Sequence, residues 1–272
     1  MRSSRWQTVG ALVASLAWAT HAKPVFLAPV AVLPGPEGTL YVGQEGACQV
    51  AVLDLAKGIP SRVFSLKGPV TGMALSPDGT TLLVTEGDPD GQLALVDADR
   101  GRVRRVTVGH TPTGVAVSPD GSRAYVCNRF TNDVSVVDLA ARREISRIAV
   151  RREPVACTLT PDGKWLYVAN HLPMGRADGE YIAATVSIID TTSGEVHKSI
   201  ALPNGSTGVR GMCLAPGGDA VYVTHILGRY QLPTTQLERG WMNTNALTVI
   251  DVAAGALVNT VLLDDVDLGA AN

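Results

Sequence analysis

The chain has 272 residues, with Lys and Arg 23 against Asp and Glu 25 and a formal charge of −2. That balance supplies no basic field for nucleic-acid binding. Apolar residues make up 46% and charged ones 18%, enough for a packed core and too apolar for a disordered chain. Gly 28 and Pro 16 favour many short strands over long helices.

Arg2 and Arg5 precede an apolar run from Val9 to Ala19, which ends in the small residues Ala17, Ala19 and Ala22. A positive start, a short apolar stretch and a small-x-small site predict a secretory signal over 1–22, cut after Ala22 or Ala19. The rival reading is a membrane anchor, for which the stretch is short. Cleavage would leave 21 basic against 25 acidic residues, and the expected compartment is periplasmic or extracellular.

From there the chain repeats itself. Ser76-Pro77-Asp78-Gly79, Ser118-Pro119-Asp120-Gly121 and Thr160-Pro161-Asp162-Gly163 stand 42 residues apart, and Gly35-Pro36-Glu37-Gly38 and Ala215-Pro216-Gly217-Gly218 echo them on either side. Two further markers keep step, Tyr41-Val42 through Tyr222-Val223, and Leu53-Asp54 through Ile250-Asp251. Proline presets φ in the first marker, Ser and Asp bond local backbone, and glycine accepts the left-handed conformation that closes a hairpin. The recurrent Asp of the third marker reads as a turn-former, because it appears in every unit.

Within one unit, Gly114 to Val117 is small and apolar, Arg123 to Cys127 is β-rich, and two more strands follow, Asp133 to Val137 and Glu144 to Val150. Four antiparallel strands per unit predict an all-β fold, a β-propeller of four-stranded blades. A lone blade leaves two apolar faces wet at about 25 cal/mol per Å2, so the blades must stack on one another. The units fall at 28–68, 69–110, 111–152, 153–207 and 208–265, so the repeats fill 23–272.

Tyr125-Val126-Cys127-Asn128, Tyr167-Val168-Ala169-Asn170 and Tyr222-Val223-Thr224-His225, each after its turn, resemble the YVTN repeat family of bacterial β-propellers. Tyr41-Val42-Gly43-Gln44 and Leu83-Val84-Thr85-Glu86 depart from that tetrad. The resemblance implies seven blades, so five repeats form an incomplete ring with two bare faces. The remainder of a longer chain or a protein partner would then complete it. It also implies company with exported redox systems that use c-type cytochromes.

The loops after the second strands share a rim with the connections between blades. That rim collects Glu86, His110, Asn128, Arg129, Asn170, His171 and His225 as candidate ligand-binding residues. Long insertions in the fourth and fifth units add Arg229, Tyr230, Arg239, Trp241 and Asn243, with flat rings for stacking and guanidinium forks for carboxylates. The same loops could equally cover a neighbouring blade. No zinc spacing, Cys-x-x-Cys-His haem motif, phosphate loop or Ser/His/Asp set is present, so no metal and no cofactor is expected. The rim histidines read as loop residues before they read as ligands.

Four cysteines suggest disulfides by count. Cys48 and Cys127 fall in non-neighbouring blades. Cys157 and Cys213 lie on innermost strands of adjacent blades, where sheets about 10 Å apart exceed the reach of a bridge. Buried free thiols are the expectation. The leading functional reading is a non-catalytic exported binding or scaffold module, accessory to a redox system. The alternative is a propeller enzyme, lactonase-like or cofactor-dependent oxidoreductase, working from the insertion-bearing rim.

Overall fold

The computed structural model describes residues 26–228 and 243–263; the proposed signal segment lies outside them. Among these residues twenty strands make five four-stranded antiparallel sheets. The first blade holds β1 (Pro29–Pro34), β2 (Thr39–Gln44), β3 (Gln49–Asp54) and β4 (Ile59–Ser65). The second holds β5 (Val70–Leu75), β6 (Thr81–Glu86), β7 (Gln92–Asp97) and β8 (Val103–Thr107). The third holds β9 (Pro112–Val117), β10 (Arg123–Asn128), β11 (Asp133–Asp138) and β12 (Arg143–Ala149). The fourth holds β13 (Pro154–Leu159), β14 (Trp165–Asn170), β15 (Thr185–Asp190) and β16 (Glu195–Ala201). The fifth holds β17 (Ser206–Leu214), β18 (Ala220–Gly228), β19 (Asn243–Asp251) and β20 (Ala256–Leu262). Strands in each sheet follow chain order, and the first strands of successive blades meet at the hub. This is a β-propeller of five blades; the helix described is one short turn, Pro36–Gly38, and among the described residues no helix is long and apolar enough to cross a membrane.

The hairpin between first and second strands follows from the Pro-Asp-Gly chemistry. Gly79, Gly121 and Gly163 take φ of 73, 70 and 71°, a conformation that costs an L side chain about 1–2 kcal/mol. The Ser118 hydroxyl, and then the Ser122 amide and hydroxyl, donate to Asp120 and hold its pKa down to about 2. The Asp that ends each third strand closes the next turn. Asp97 Oδ1 accepts from Asp99 N and Arg100 N, Asp190 Oδ1 from Thr192 N, and Asp251 Oδ1 from Ala254 N. The recurrent carboxylate is therefore consumed by backbone, as its repetition implied.

Period-two alternation gives each middle strand two apolar faces, and four hydrophobic clusters fill the junctions of consecutive blades. Leu82 and Val84 pack back on the first blade, while Leu83 and Leu93 pack forward on the third. All four are fully buried, each contributing about 1.5–3 kcal/mol from burial. At the hub the blades touch backbone to backbone. A Cβ on Gly72 would collide with the Thr113 carbonyl, and one on Gly114 would lie 2.7 Å from Ala156 Cα. Thr71 Oγ1 donates to Pro112 O at 2.7 Å and Thr113 Oγ1 to Pro154 O at 3.1 Å, stitching these junctions.

Among the described residues no such cluster joins the fifth blade to the first. On the first blade Val30 and Val32 are 47% and 62% exposed. On the fifth, Val258 and Val261 are exposed and Cys213 faces water. Among the described residues these two blade faces carry exposed apolar side chains.

Candidate functional site

The rim that carries the ends of the second strands divides into buried clasps and an exposed surface. Glu86, Asn128, Asn170 and His225 occupy the same place in four blades, the last residue of the tetrad, and all are buried. Glu86 Oε1 accepts from the Lys67 and Gly68 amides at 2.7 and 3.3 Å, in the connection from the first blade. Its other bonds come from Arg105, whose Nε lies 2.8 Å from Oε2. Burial pushes the Glu86 pKa up, but the Arg105 bonds and the two amides outweigh it and hold the group below the ordinary range.

Asn128 does the same work without charge. Its Oδ1 accepts from Gly109 N at 3.0 Å in the next connection, and its Nδ2 donates to Asp133 and Ser135. Asn170 Nδ2 donates to Thr185 and Ser187, while its Oδ1 has no partner among the described residues. His225 Nδ1 lies 3.3 Å from Ile226 O, an acceptor only, so Nδ1 carries the proton. Nε2 then accepts from Thr248 Oγ1 at 2.8 Å. Burial lowers the His225 pKa, against a smaller opposite effect of the Ile226 carbonyl, so the ring is held neutral. These four side chains fasten a blade to its connection or to its own third strand; they do not face solvent as a binding surface.

The remaining rim candidates lie outward. His110 and Phe130 meet edge to face at 5.4 Å, and the Arg129 guanidinium sits 5.1 Å from the centre of the Phe130 ring. Arg129 is fixed by Glu153 at 2.9 Å, and Phe130 remains 52% exposed. Arg151 and Arg152 follow on the same connection, both exposed. His171 Nδ1 donates to Val209 O at 2.8 Å, which ties the fourth-unit insertion to the fifth blade. Within that insertion Met174 and Tyr181 are exposed, though the Tyr181 hydroxyl is anchored on Leu202 O. Asn243 is exposed at the start of β19. Arg229, Tyr230, Arg239 and Trp241 lie outside the described residues.

The sequence did not flag Phe130, Arg151, Arg152 or Met174. Phe130 was legible as an aromatic two residues after the tetrad, a place where other units carry Asp88, Leu172 and Leu227. Among the described residues no three His, Cys, Asp or Glu side chains gather as a metal site. A cavity of 690 Å3 opens on the opposite rim between second and third blades. Of its carboxylates, Asp78, Asp97 and Asp120 are engaged in turns, while Asp99, Arg104 and Arg142 also line it.

The cysteines are free thiols. The near pair is Cys127 with Cys157, across the junction of third and fourth blades, rather than Cys157 with Cys213. A hydrogen bond with Cys157, and then burial, push the Cys127 thiol up.

No family model matches the chain. Over 86 residues it is 33% identical to hydrazine synthase subunit beta of Kuenenia stuttgartiensis, a stretch covering 32% of this chain and 22% of that protein. The match thus spans less than a quarter of the curated relative. The solved structure of Kuenenia stuttgartiensis hydrazine synthase superposes with a TM-score of 0.81 at 26% identity, over 92% of this chain and 70% of that one. The likeness supports the β-propeller fold, and the YVTN relationship stands as a resemblance of tetrads.

Proposed function

We propose that this chain is an exported, non-catalytic propeller of the YVTN type that serves as a docking module in a multi-subunit redox assembly with a c-type cytochrome. One observation carries the non-catalytic part. Glu86, the candidate acid–base group of the rim, is spent on Arg105 and two amides, and His225 is closed off by Thr248 and Ile226. Both are buried and held by these partners, so neither is presented to a substrate.

Similarity to a named subunit of a hydrazine-forming enzyme supports the assembly role. The docking surface in this reading is the outward rim of His110, Arg129, Phe130, Arg151, Arg152 and Met174. A half-exposed ring and thioether amid guanidinium groups suit an apolar patch bordered by carboxylates on a partner protein. Phe130 is held in place on both sides before any partner arrives, which limits the ordering cost of binding.

The test is purification of the full chain from its native source under mild conditions. Co-elution with a haem-bearing polypeptide, lost on Phe130→Ala with Arg151→Glu, is the expected result. Recovery as a haem-free protein that turns over lactones would overturn the reading. A mature N-terminus at Lys23 or Thr20 in the extracytoplasmic fraction is expected for the export part.

A further inference from the structure

One turn carries an arginine where its four counterparts carry glycine. Between third and fourth strands, the fourth residue after the recurrent Asp is Gly58, Gly101, Arg142, Gly194 and Gly255 in the five blades. All five take the left-handed conformation, the glycines with φ between 54 and 72° and Arg142 with φ of 53°. Glycine adopts it freely, whereas an L side chain is strained there. Arg142 is exposed and makes no hydrogen bond or ion pair among the described residues, so no contact of its side chain within the fold offsets that strain.

A second arginine departs from the pattern beside it. Arg62 and Arg104 hold the same place on β4 and β8, opposite Val52 and Leu95. Arg62 closes its junction: Nη1 donates to Ala98 O at 2.7 Å and to Asp99 O at 2.6 Å, in the turn of the next blade. The carbonyls in the matching places for Arg104 belong to Leu139 and Ala140. Arg104 bonds neither, and with them and Arg142 it lines the cavity of 690 Å3.

The Pro-Asp-Gly hairpins also stand further apart here than at the two later junctions. A Cβ on Gly163 would lie 3.0 Å from Pro119 and one on Gly218 2.7 Å from Pro161, but one on Gly121 lies 3.7 Å from Pro77. Within the space left, most acceptors are engaged and donors are free. Asp78 and Asp120 serve their own hairpins. Asp97 Oδ1 closes its turn, and Oδ2 lies 3.7 and 3.6 Å from Arg100 and Arg102. Asp99 also lines the cavity on the first-blade side, where burial and then the Asp99 charge raise the Tyr41 pKa. Arg104 and Arg142 are left without an acceptor among the described residues.

We infer that this cavity binds a small organic anion, its carboxylate or phosphate held by Arg104 and Arg142 and its body against Leu95 and Leu139. Planar guanidinium forks suit an oxyanion with several acceptor oxygens. The volume is that of a small-molecule site, about 300–1,000 Å3, rather than of a bare ion. The left-handed backbone at Arg142 is then strain kept for binding. The cavity lies on the rim opposite the proposed docking surface, and the inference does not depend on that reading.

Calorimetric titration of the full chain with phenyl phosphate and with isophthalate tests it, with benzamide as the neutral probe. At least one anion should bind, and the tighter of the two assigns the group as phosphate or carboxylate. Arg104→Gln and Arg142→Gly should each weaken that binding at least tenfold. Arg143→Gln, next in the chain but outside the cavity lining, should leave it unchanged. Arg142→Gly should also raise the urea midpoint, because it relieves the turn; an arginine kept for stability would lower it. Binding of neither anion, equal binding of benzamide, or binding that survives both substitutions overturns the inference. Equal weakening by Arg143→Gln overturns it too, by assigning the effect to general surface charge, as does a midpoint that fails to rise in Arg142→Gly.

Discussion

The two rims of the propeller use the same material over different reach. On the turn rim, Asp78, Asp120 and Asp162 each serve a hairpin within two residues of themselves. On the connection rim, Glu86 and Asn128 bond amides 18 or 19 residues away, in the segment that arrives from the preceding blade. A local turn residue is solvated when it fails, because its turn lies on the surface. A clasp is buried, so its failure leaves donors dry. The difference predicts that equivalent-looking polar residues of the two rims differ in energetic weight, and several substitutions break or sharpen the point.

Glu86→Ala should have the largest effect. It removes the partner of Arg105 and the acceptor of two amides. Arg105 keeps some access to water at 22% side-chain exposure, so a loss of about 3 kcal/mol is expected, the low end for breaking a buried pair. Urea unfolding followed by tryptophan fluorescence measures it. A loss below about 1 kcal/mol would mean the clasp is ornamental. Asn128→Ala comes next, about 1–3 kcal/mol, since Gly109 N is left buried without an acceptor. On the other rim, Gly121→Ala forces an L side chain to φ of 70° and should cost about 1–2 kcal/mol, by a backbone route that leaves every side-chain bond intact.

The pH dependence separates the same groups. His225 has a lowered pKa in the fold, so the unfolded chain binds its proton first. Its stabilisation is complete above the unfolded value of about 6.5 and is lost as pH falls from there towards the folded value. Glu86 is also lowered; its contribution is complete above the unfolded carboxylate value, about 4.3, and lost as pH falls through the folded one. The urea midpoint should therefore fall in two stages on acidification. His225→Asn, which restores the residue found at Asn128 and Asn170, should remove the first stage and leave the second.

How much of this was written in the sequence depends on the kind of regularity. The blades were legible, because turn chemistry and period-two alternation recur in register from Pro36 to Asp251. The role of the recurrent Asp was legible for the same reason. That argument applied equally to Glu86, Asn128, Asn170 and His225, which also recur once per unit, but their varied chemistry concealed a shared place. A carboxylate, an amide and an imidazole look like an active site when read by type, and like one clasp when read by position. The Cys127–Cys157 contact was not legible, since it depends on how steeply the blades converge at the hub. Phe130 carried only a weak signal, an aromatic two residues after one tetrad, for the opposite reason: it breaks the repeat, and its exposure shows that nothing inside the fold requires it.

That exposure makes Phe130→Ala the sharpest separation of binding from stability, and the smallest expected effect on the fold. The ring touches His110 and Arg129 at the surface and enters none of the four inter-blade clusters. Surface changes of this kind stay within about 0.5 kcal/mol, so the urea midpoint should not move. Arg129 keeps its Glu153 partner at 2.9 Å, and the rim's charge pattern is unchanged. If the outward rim is the docking surface, removing its one held aromatic should still weaken partner capture by tenfold or more, as loss of a central anchor does. An unchanged midpoint with unchanged capture would move the interface away from this rim. A lowered midpoint would show that Phe130 belongs to the clasps after all.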